Sequence, residues 1–203
     1  MGGIKMSNPF FSVIIPAHNS AGWIRKGLES IRAQSWTNYE LIVVCDACTD
    51  NTAEIAREYT DKVIVTDFGL DGMARNAGLD AATGDWVLFM DDDDWFLHEY
   101  VFHQLALTVG KHGEDVLQFA FIWKGRGYTG VDRMYVAVWS KCWYREFIGK
   151  TRFSDRPYWS DVDFMKAMMA KEPRIHRWDM PMYYYNYLRA GSISWRQKQG
   201  EIE

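Results

Sequence analysis

The 203-residue sequence predicts a single α/β domain, with a mostly parallel central sheet, helices on both faces and an antiparallel addition in its second half. Two observations predict this class. In the first half, short apolar runs alternate with amphipathic stretches at the period of β-α-β units, whose crossovers are right-handed. In the second half, a glycine-rich segment precedes apolar residues that suit antiparallel strands. Because no repeat and no low-complexity linker divides the chain, residues 1–203 are expected to form one domain.

The elements of the first half follow from the periodicity of apolar residues. Continuous apolar runs predict strands at residues 11–15, 41–44, 62–66 and 86–90. Amphipathic stripes predict helices at residues 20–34, 51–59 and 73–82. Asn51 and Glu54 have the spacing of a capping box at the start of the second helix. The apolar run near the start of the chain, which ends at Pro16, is too short to span a bilayer.

The elements of the second half are shorter and less regular. The predicted helices are residues 98–110, 140–149 and 160–170, and the predicted strands are residues 115–123 and 182–188. The stretch MYVAVW, residues 134–139, follows three glycines. It predicts the antiparallel strand that is added to the sheet.

Composition and charge exclude several classes of function. The formal charge of −4 is spread along the chain, and no cluster of Lys and Arg is interleaved with aromatic residues, so nucleic acid is not an expected partner. An odd count of three cysteines without a charged and apolar leader indicates a reducing compartment. We therefore expect a cytoplasmic protein, and a peripheral contact with the inner face of the cell membrane stays open. The many Trp, Tyr and Phe residues can fill the hydrophobic core, and they can also bind the flat faces of ligands.

Four consecutive carboxylates, Asp91 to Asp94, directly follow the last predicted strand of the first half. Like charges this close repel one another, so a cation is expected nearby. If the extended conformation continues past Met90, Asp91 and Asp93 point to one face and Asp92 and Asp94 to the other. One pair could then share Mg²⁺ or Mn²⁺, which take oxygen ligands and retain substrate phosphates. The alternative is a solvated loop whose acids cap the helix that begins near residue 98.

Polar segments follow three of the predicted parallel strands: PAHN at residues 16–19, CDACTD at residues 45–50, and the acidic run. Because ligands bind outside the carboxyl ends of parallel strands, these segments are expected to converge. The loop after the first strand lacks the G-x-G-x-x-G of dinucleotide sites, and no Walker lysine motif occurs in the chain. A bound phosphate is therefore expected to be held by a metal.

The spacing of Cys45 and Cys48 could indicate a redox pair or half of a zinc site. No second C-x-x-C occurs, and Cys142 lies far along the chain. Small buried cysteines are the expected interpretation.

The segment YWSDVDF places Ser160 three residues before Asp163, which is the spacing of a capping box. This arrangement would leave the carboxylate of Asp161 free in the first helical turn. Alternatively, Asp161 only complements the helix dipole. The residues alone leave both interpretations open.

Taken together, four segments resemble one family: FSVIIPAHN, ESIRAQSWTNYELIVVCDACTDNTAEI, GMARNAGLDAATGDWVLFMDDDDW and YWSDVDF. In this order they are similar to the family 2 inverting glycosyltransferases of the GT-A fold, over about residues 11–170. The resemblance implies a Rossmann-like GT-A domain in which residues 11–94 bind a nucleotide-sugar donor and residues 95–203 bind the acceptor. Two departures from the family pattern lie in the donor half: Cys45 stands where an acid is common, and ACTD replaces Gly-Ser-Thr-Asp.

The resemblance also implies roles for individual residues. The implied donor-binding residues are Pro16, His18, Asn19, Asp46, Arg75, Asp91 and Asp92. Of these, Asp46 would accept a hydrogen bond from a uracil-like imide. The family's D-x-D motif falls on residues 91–93, where Asp93, with Asp91, would bind Mn²⁺ or Mg²⁺ on the diphosphate. The catalytic Glu-Asp pair matches Ser160 and Asp161, so Asp161 would be the general base, and Ser160 replaces the family's Glu.

The implied reaction moves a sugar from a nucleotide diphosphate sugar, expected to be a UDP-sugar, to a hydroxyl of a carbohydrate or lipid-linked carbohydrate. The metal would stabilise charge on the leaving diphosphate, and Asp161 would take the proton of the attacking hydroxyl, with inversion. Arg189 is a candidate to hold the diphosphate. Trp143, Tyr158 and Trp159 are candidates to pack on sugar rings of the acceptor.

Two other classes of function stay open. A sugar nucleotidyltransferase would also need a metal and an α/β sheet, but it should have a basic, glycine-rich loop after the first strand to hold a triphosphate. The segment PAHNSAG offers no such loop. A non-catalytic module that binds nucleotide sugars would keep the donor half and lose the base.

Overall fold

The computed structural model describes residues 8–187, 196 and 198–200 of the chain. The strands of the first half are β1 (Phe11–Ala17), β2 (Tyr39–Asp46), β3 (Val63–Thr66) and β4 (Trp86–Phe89). The helices between them are α1 (Ile24–Arg32), α2 (Thr52–Arg57) and α3 (Asp71–Ala81). Every strand and helix predicted for this half is present, so the β-α-β interpretation is confirmed.

The second half continues with shorter elements. Its strands are β5 (Trp95–Phe96), β6 (Val116–Trp123), β7 (Gly127–Thr129), β8 (Lys141–Tyr144) and β9 (Ile175–Tyr185). Its helices are α4 (Val101–Thr108), α5 (Arg145–Ile148) and α6 (Ser160–Met169). A single 3-10 turn, Val138–Ser140, immediately precedes β8.

The nine strands of the described residues form one sheet, in the order β3-β2-β1-β4-β8-β6-β9-β5, with β7 paired to β6. The first four strands pair in parallel. Strand β8 lies antiparallel between β4 and β6, and β9 returns parallel to β6. The predicted class, a mostly parallel sheet with an antiparallel addition in the second half, is therefore confirmed.

The antiparallel strand itself is not where the sequence predicts it. Residues 134–139 are not a strand, and β8 consists of residues that were expected to begin a helix over 140–149. Cys142 and Trp143 are fully buried between β4 and β6. This burial depends on the neighbouring strands, so the local pattern of apolar residues does not predict it. Only the last turn of the predicted helix forms, as α5. Likewise β9 begins seven residues before the predicted strand at 182, because polar residues interrupt its apolar pattern.

Helices cover both faces of the sheet, as predicted. Side chains alternate along β1, so Val13 and Ile15 face one layer and Ile14 faces the other. Helices α1 and α4 bury their apolar residues in the first layer, and α3 and α6 bury theirs in the second. This arrangement leaves the carboxyl ends of the parallel strands uncovered by helices.

The apolar run near the start of the chain forms β1 at the centre of the sheet, and all seven of its residues are buried. The longest helix of the described residues, α3, has 11 residues. Crossing a bilayer takes about 20. No helix in this part of the chain is both long enough and apolar enough to do so.

A buried carboxylate joins three neighbouring segments of the sheet. Glu40 on β2 accepts hydrogen bonds from Ser12 Oγ (2.5 Å) and from the backbone N–H groups of Thr83 (2.6 Å) and Gly84 (3.1 Å), and it pairs with Lys62. Burial opposes the ionisation of this carboxyl, but Lys62, Ser12 and Thr83 lower the pKa of Glu40 to about 2. Glu40 therefore stabilises the fold in its ionised form.

We expect Glu40→Gln to lower the free energy of unfolding at neutral pH by about 1–3 kcal/mol, the range for hydrogen bonds to a charged group. Since the folded pKa of Glu40 lies below its ordinary 4.5, this contribution is complete above the ordinary value and is lost as the pH falls toward about 2. Urea unfolding at neutral pH and at about pH 3 measures both effects. Glu58→Gln, in an exposed pair with Arg25, is the control and should change stability much less, because solvent screens this pair. A deficit for Glu40→Gln that is equal at both pH values would contradict the assignment.

Candidate active site

The three polar segments predicted to converge do meet at the carboxyl ends of β1, β2 and β4. The backbone N–H of His18 donates to Asp92 Oδ2 at 3.2 Å, and His18 Nδ1 lies 2.7 Å from the carbonyl oxygen of Asp46. The backbone N–H of Ala21 donates to Asp50 Oδ2 at 3.0 Å. Each segment thus contacts another, and the prediction of a common polar edge is confirmed.

The two exposed residues after β1 have fixed orientations. Because the Asp46 carbonyl can only accept, His18 Nδ1 carries the proton, and Nε2 accepts from the Asn19 side chain at 3.3 Å. Asn19 has φ 48°, a left-handed conformation that Asn tolerates better than most residues. Its Oδ1 accepts the backbone N–H of Thr49 at 2.7 Å. Pro16 is buried within β1.

Asp46 is buried and largely occupied by the loop that leads into α3. Its Oδ1 accepts from Thr66 Oγ1 (2.9 Å) and the Phe68 backbone N–H (2.7 Å), and its Oδ2 accepts from the Leu70 backbone N–H (2.9 Å). A carboxylate offers about four acceptor sites. Asp46 therefore holds this loop in place, and its Oδ2 retains capacity for one more donor.

The acidic run is a turn and not an extended segment, so the predicted alternation of faces is wrong. Strand β4 ends at Phe89, and the backbone N–H of Asp94 donates to the Asp91 carbonyl at 3.2 Å. Asp94 is fully buried and accepts from Tyr183 Oη and the Asn186 backbone N–H, both at 2.7 Å. The run does not cap the following helix either, because α4 begins with no side-chain cap.

Close packing of α1 fixes the position of this turn. A Cβ atom on Gly27 would lie 2.7 Å from the carbonyl oxygen of Asp94 and 2.8 Å from the methyl group of Met90. Asp92 is held from the other side by the Ser20 hydroxyl and the His18 backbone N–H. The turn is thereby held on both sides by neighbouring loops.

The positive charge expected near the acidic run is Arg75, on α3. This buried guanidinium donates to Asp91 Oδ1 at 2.8 Å and also pairs with Asp71. Burial raises the pKa of Asp91 to about 6, with Arg75 opposing the rise and Asp93 adding to it. Arg75 therefore lies between the acidic turn and the start of its own helix.

Asp71 extends this network to α6, a role that the sequence analysis missed. Its Oδ1 accepts from Ser160 Oγ at 2.9 Å. Burial opposes ionisation of Asp71, but Arg75 and Ser160 hold its pKa below the ordinary value. The i, i+4 spacing of Asp71 and Arg75 was the one signal in the sequence that could have found the pair.

Asp161 lies in the first turn of α6, as predicted, but the predicted capping box is absent. Ser160 bonds to Asp71, and Asp163 accepts from Ser154 Oγ at 2.8 Å, so neither caps the helix. Burial raises the pKa of Asp161, and the nearby Arg75 partly opposes this rise. A carboxylate with a raised pKa is more basic than one in water, which suits proton transfer near neutral pH.

A cleft of about 750 Å³ lies beside these acids. Asp71, Arg75, Asp91 and Asp161 line one end. Most of its remaining wall consists of aromatic side chains: Phe121, Trp123, Tyr135, Trp139, Tyr158, Trp159, Tyr185 and Tyr187. The cleft thus joins elements from both halves of the chain.

Two of the three aromatic residues proposed for the acceptor line this cleft. Tyr158 and Trp159 do so, and Trp159 is 50% exposed with φ 65°, an outlier for a bulky side chain. Trp143 does not, because it is fully buried with its ring edge-on to Phe164 at 5.7 Å. Arg189, the candidate for the diphosphate, lies outside the described residues.

Residues 135–139 form one wall of the cleft, and neither they nor Ser140 pair with the sheet. Lys141, which is fully buried, donates from Nζ to the carbonyl oxygens of Tyr135 (2.6 Å) and Ala137 (2.8 Å) and to Ser140 Oγ (3.1 Å). Burial lowers the pKa of Lys141 to about 7. Trp139 of this wall stacks on Tyr183 with a centroid distance of 4.8 Å.

Among the described residues, no group of three or more His, Cys, Asp or Glu side chains is arranged as a complete metal site. Of the four acids in the turn, Asp92 and Asp94 are engaged by protein donors, and Asp91 uses one oxygen for Arg75. Mg²⁺ typically needs only one or two protein carboxylates when substrate phosphates complete its shell. A cation that binds together with a substrate diphosphate therefore needs no complete set of protein ligands in the turn.

The three cysteines are free. Cys45 and Cys142 are buried, as expected, and Cys48 is half-buried with its thiol donating to the Ala17 carbonyl at 3.4 Å. Burial raises the pKa of Cys45 to about 12 and also raises the pKa of Cys48. A thiol with a raised pKa is a poor nucleophile, which argues against redox chemistry, and among the described residues these cysteines belong to no group of three possible zinc ligands.

Sequence comparison finds glycosyltransferases over most of the chain. The family model described as Glycosyl transferase family 2 matches residues 12–173. The alignment with Glycosyltransferase GlyA of Streptococcus pneumoniae serotype 4 is 37% identical and covers 92% of this chain and 32% of that protein. The alignment with the uncharacterized glycosyltransferase YibD of Escherichia coli K12 is 39% identical and covers 93% of this chain and 64% of that protein. The chain spans only about a third of the length of GlyA.

Solved structures share the fold. TarS 1-349 of S. aureus in complex with UDP-GlcNAc has a TM-score of 0.79 at 27% identity, covering 90% of this chain and 60% of that chain. The mannosyltransferase PcManGT of Pyrobaculum calidifontis, in complex with GDP-Man and Mn²⁺, has a TM-score of 0.76 at 17% identity, covering 96% and 61%. The second likeness shows the fold alone. Both agree with the mixed sheet described above.

Proposed function

The chain belongs to glycosyl transferase family 2, and we propose that it moves a sugar from a nucleotide diphosphate sugar to a hydroxyl of a carbohydrate or lipid-linked carbohydrate, with inversion. One observation carries this proposal. Asp91 of the acidic turn and Asp161 line the same cleft, and Asp91 is connected through Arg75 and Asp71 to Ser160, the neighbour of Asp161. This arrangement supports a charged leaving group near Asp91 and a base for the incoming hydroxyl in the same cavity.

In this proposal residues 11–94 hold the donor and residues 95–203 hold the acceptor. The donor-binding residues are Pro16, His18, Asn19, Asp46, Arg75, Asp91 and Asp92. The complexes of the related TarS with UDP and UDP-GlcNAc support a UDP-sugar. The last acceptor site on Asp46 Oδ2 suits the single imide N–H of uracil.

Asp93 and Asp91 would hold a divalent cation, Mn²⁺ or Mg²⁺, against the diphosphate. When bound, the cation offsets the charge that develops on the leaving oxygens. The hydrogen bonds from Ser20 and His18 to Asp92 keep the turn oriented for this role. The buried Arg75 limits the repulsion between Asp91 and the other acids.

Asp161 would accept the proton of the acceptor hydroxyl as that oxygen attacks the sugar. Burial raises the pKa of this carboxyl and so favours proton uptake, and the nearby Arg75 partly opposes that rise. Attack from the face opposite the leaving diphosphate inverts the anomeric centre. The first turn of α6 keeps the carboxylate at the end of the cleft where the acidic turn lies.

The aromatic wall of the cleft would receive the acceptor. Flat aromatic faces pack well on the apolar faces of sugar rings. The cleft is large enough for more than one sugar unit beside the reacting hydroxyl. A lipid-linked acceptor would bring the protein to the inner face of the cell membrane.

We expect Trp159→Ala to raise the KM for the acceptor by about tenfold, because one stacked aromatic face contributes about 0.5–1.5 kcal/mol. The KM for the donor and kcat should change little, since Trp159 is proposed to contact the acceptor and not the donor. Initial rates at varied acceptor and donor concentrations measure both constants. Trp23→Ala is the matched control, because Trp23 is 47% exposed and does not line the cleft. Equal effects of the two variants on the acceptor KM would contradict this role.

The products separate the proposed function from its alternatives. A thermal-shift screen of nucleotide sugars with and without Mn²⁺ first identifies the donor, because a ligand of the native state raises apparent stability. Incubation with that donor and a carbohydrate acceptor should then release a nucleoside diphosphate. Pyrophosphate would instead indicate a nucleotidyltransferase. Stabilisation without any release, across an array of acceptors, would indicate a binding module and overturn the proposal.

A further inference from the structure

Ser160 makes an unusual contact for the first residue of a helix. It is 2% exposed, and its hydroxyl donates to Asp71 on α3, not to the backbone of its own helix. The family pattern has a Glu at this position, next to the Asp that matches Asp161. In this chain the position therefore carries no charge, and its one side-chain hydrogen bond leads to a carboxylate on another helix.

Asp71 is that carboxylate, and it contacts both Ser160 on α6 and the guanidinium that pairs with Asp91. One of its oxygens accepts from Ser160, and the other pairs with Arg75, which in turn pairs with Asp91. Asp71 is 38% exposed and lines the cleft together with Asp161. A continuous chain of contacts thus connects the acidic turn to the helix that carries the proposed base.

The backbones of α3 and α6 approach closely at this point. A Cβ atom on Gly72 would lie 2.7 Å from the carbonyl oxygen of Ser154 and 2.8 Å from Ser160 Cβ. Because Ser160 Oγ bonds to Asp71, a glutamate at position 160 would place a second carboxylate beside that of Asp71, and the two would repel one another.

We propose that Asp71 supplies from α3 the negative charge that the family pattern places on α6 at position 160. Asp71 is then a positioning residue: through Ser160 and Arg75 it sets the place of Asp161 relative to the acidic turn. It also offsets the positive charge of Arg75. Without Asp71, that charge would stabilise the ionised form of Asp161 more strongly and make Asp161 a weaker base. This inference rests on the proposed function for its catalytic part.

A charge exchange tests the inference. Asp71→Ser and Ser160→Glu should each lower kcat by about tenfold or more, since each disturbs hydrogen bonds to a charged group. The double variant returns one carboxylate and one hydroxyl to the pair, and it should recover kcat to within about threefold of the wild type. The KM for the donor should stay within about threefold in all three proteins. Asp80→Ser is the control, because Asp80 lies on the same helix but pairs with Arg152 at the surface.

Asp71→Asn separates charge from shape. It can still accept a hydrogen bond from Ser160 but cannot balance Arg75, so we expect the same loss of kcat as for Asp71→Ser. Full activity of Asp71→Asn would overturn the inference. So would a double variant whose fold loss of kcat equals the product of the losses in the two single variants.

Thermal unfolding of the same variants needs no turnover. Each single variant should lower Tm by roughly 3 °C or more, and the double variant should restore it. If the double variant restores Tm but the wild-type protein releases no nucleoside diphosphate, the charge exchange holds and the proposed function fails. If the wild-type protein is active but the double variant does not restore Tm, the proposed function holds and the charge exchange fails.

Discussion

Replacing Asp161 with Asn is expected to lower kcat for sugar transfer by about 10²–10⁴-fold, the range for loss of a general base. The amide keeps the shape of the side chain in the first turn of α6 but cannot take the proton of the acceptor hydroxyl. Binding of the donor and of Mn²⁺ should be unchanged, because the residues proposed to hold them lie on other elements. Nucleoside diphosphate release measures turnover, and calorimetry measures binding.

The control for this variant is Asp163→Asn. Asp163 lies in the same helical turn, but it accepts a hydrogen bond from Ser154 and does not line the cleft. Its turnover should stay within about threefold of the wild type. The wild-type rate should fall at low pH as Asp161 becomes protonated. Because burial raises the pKa of Asp161, this fall should occur at higher pH than for an exposed Asp. Unchanged turnover in Asp161→Asn would refute the base assignment.

Removal of the divalent cation with EDTA is expected to abolish turnover, and Asp93→Asn should lower it by about 10²-fold or more at a fixed Mn²⁺ concentration. Asp93 is one of the two acids proposed to hold the cation, so loss of its charge should weaken cation binding strongly. Titration of activity with Mn²⁺, and calorimetry of UDP with and without Mn²⁺, measure the two effects. A UDP affinity that does not depend on Mn²⁺ would contradict the metal site.

The control for the cation experiment is Asp61→Asn. Asp61 precedes β3 and therefore lies at the amino edge of the sheet, opposite the acidic turn. This variant removes the same charge from the protein without approaching the cleft. Its requirement for Mn²⁺ should match that of the wild type.

The parallel half of the fold could be predicted because parallel strands are buried on both faces and read as continuous apolar runs. This is why β1, β2 and β4 were found close to their observed positions. Strand β8 could not be found in this way. It contains Lys141, a buried charge satisfied by two carbonyl groups and a hydroxyl of the preceding segment, and sequence periodicity carries no sign of that arrangement.

The parts of the site that depend on strand order could be predicted from the sequence. The hydrogen bonds between side chains that are distant in the sequence could not. The carboxyl ends of parallel strands share an edge, so the meeting of His18, Asp46 and the acidic turn followed from strand order. In the sequence, Asp94 is indistinguishable from its neighbours, yet it is the buried partner of Tyr183. The bond between Asp71 and Ser160 joins residues 89 positions apart, which local spacing cannot reveal.

The way Lys141 holds residues 135–140 has a consequence for how such enzymes diverge. None of the residues of this wall pairs in a strand, and the wall is held by Lys141, by the hydrogen bond from Trp143 Nε1 to the Val138 carbonyl oxygen, and by the burial of Val138 and Trp139 in the core. Substitutions at Val136, which lines the cleft and is 54% exposed, should therefore alter which acceptor is accepted with little effect on the folding of the domain. If this short stretch differs between related enzymes, they could use the same donor and form different glycosidic linkages.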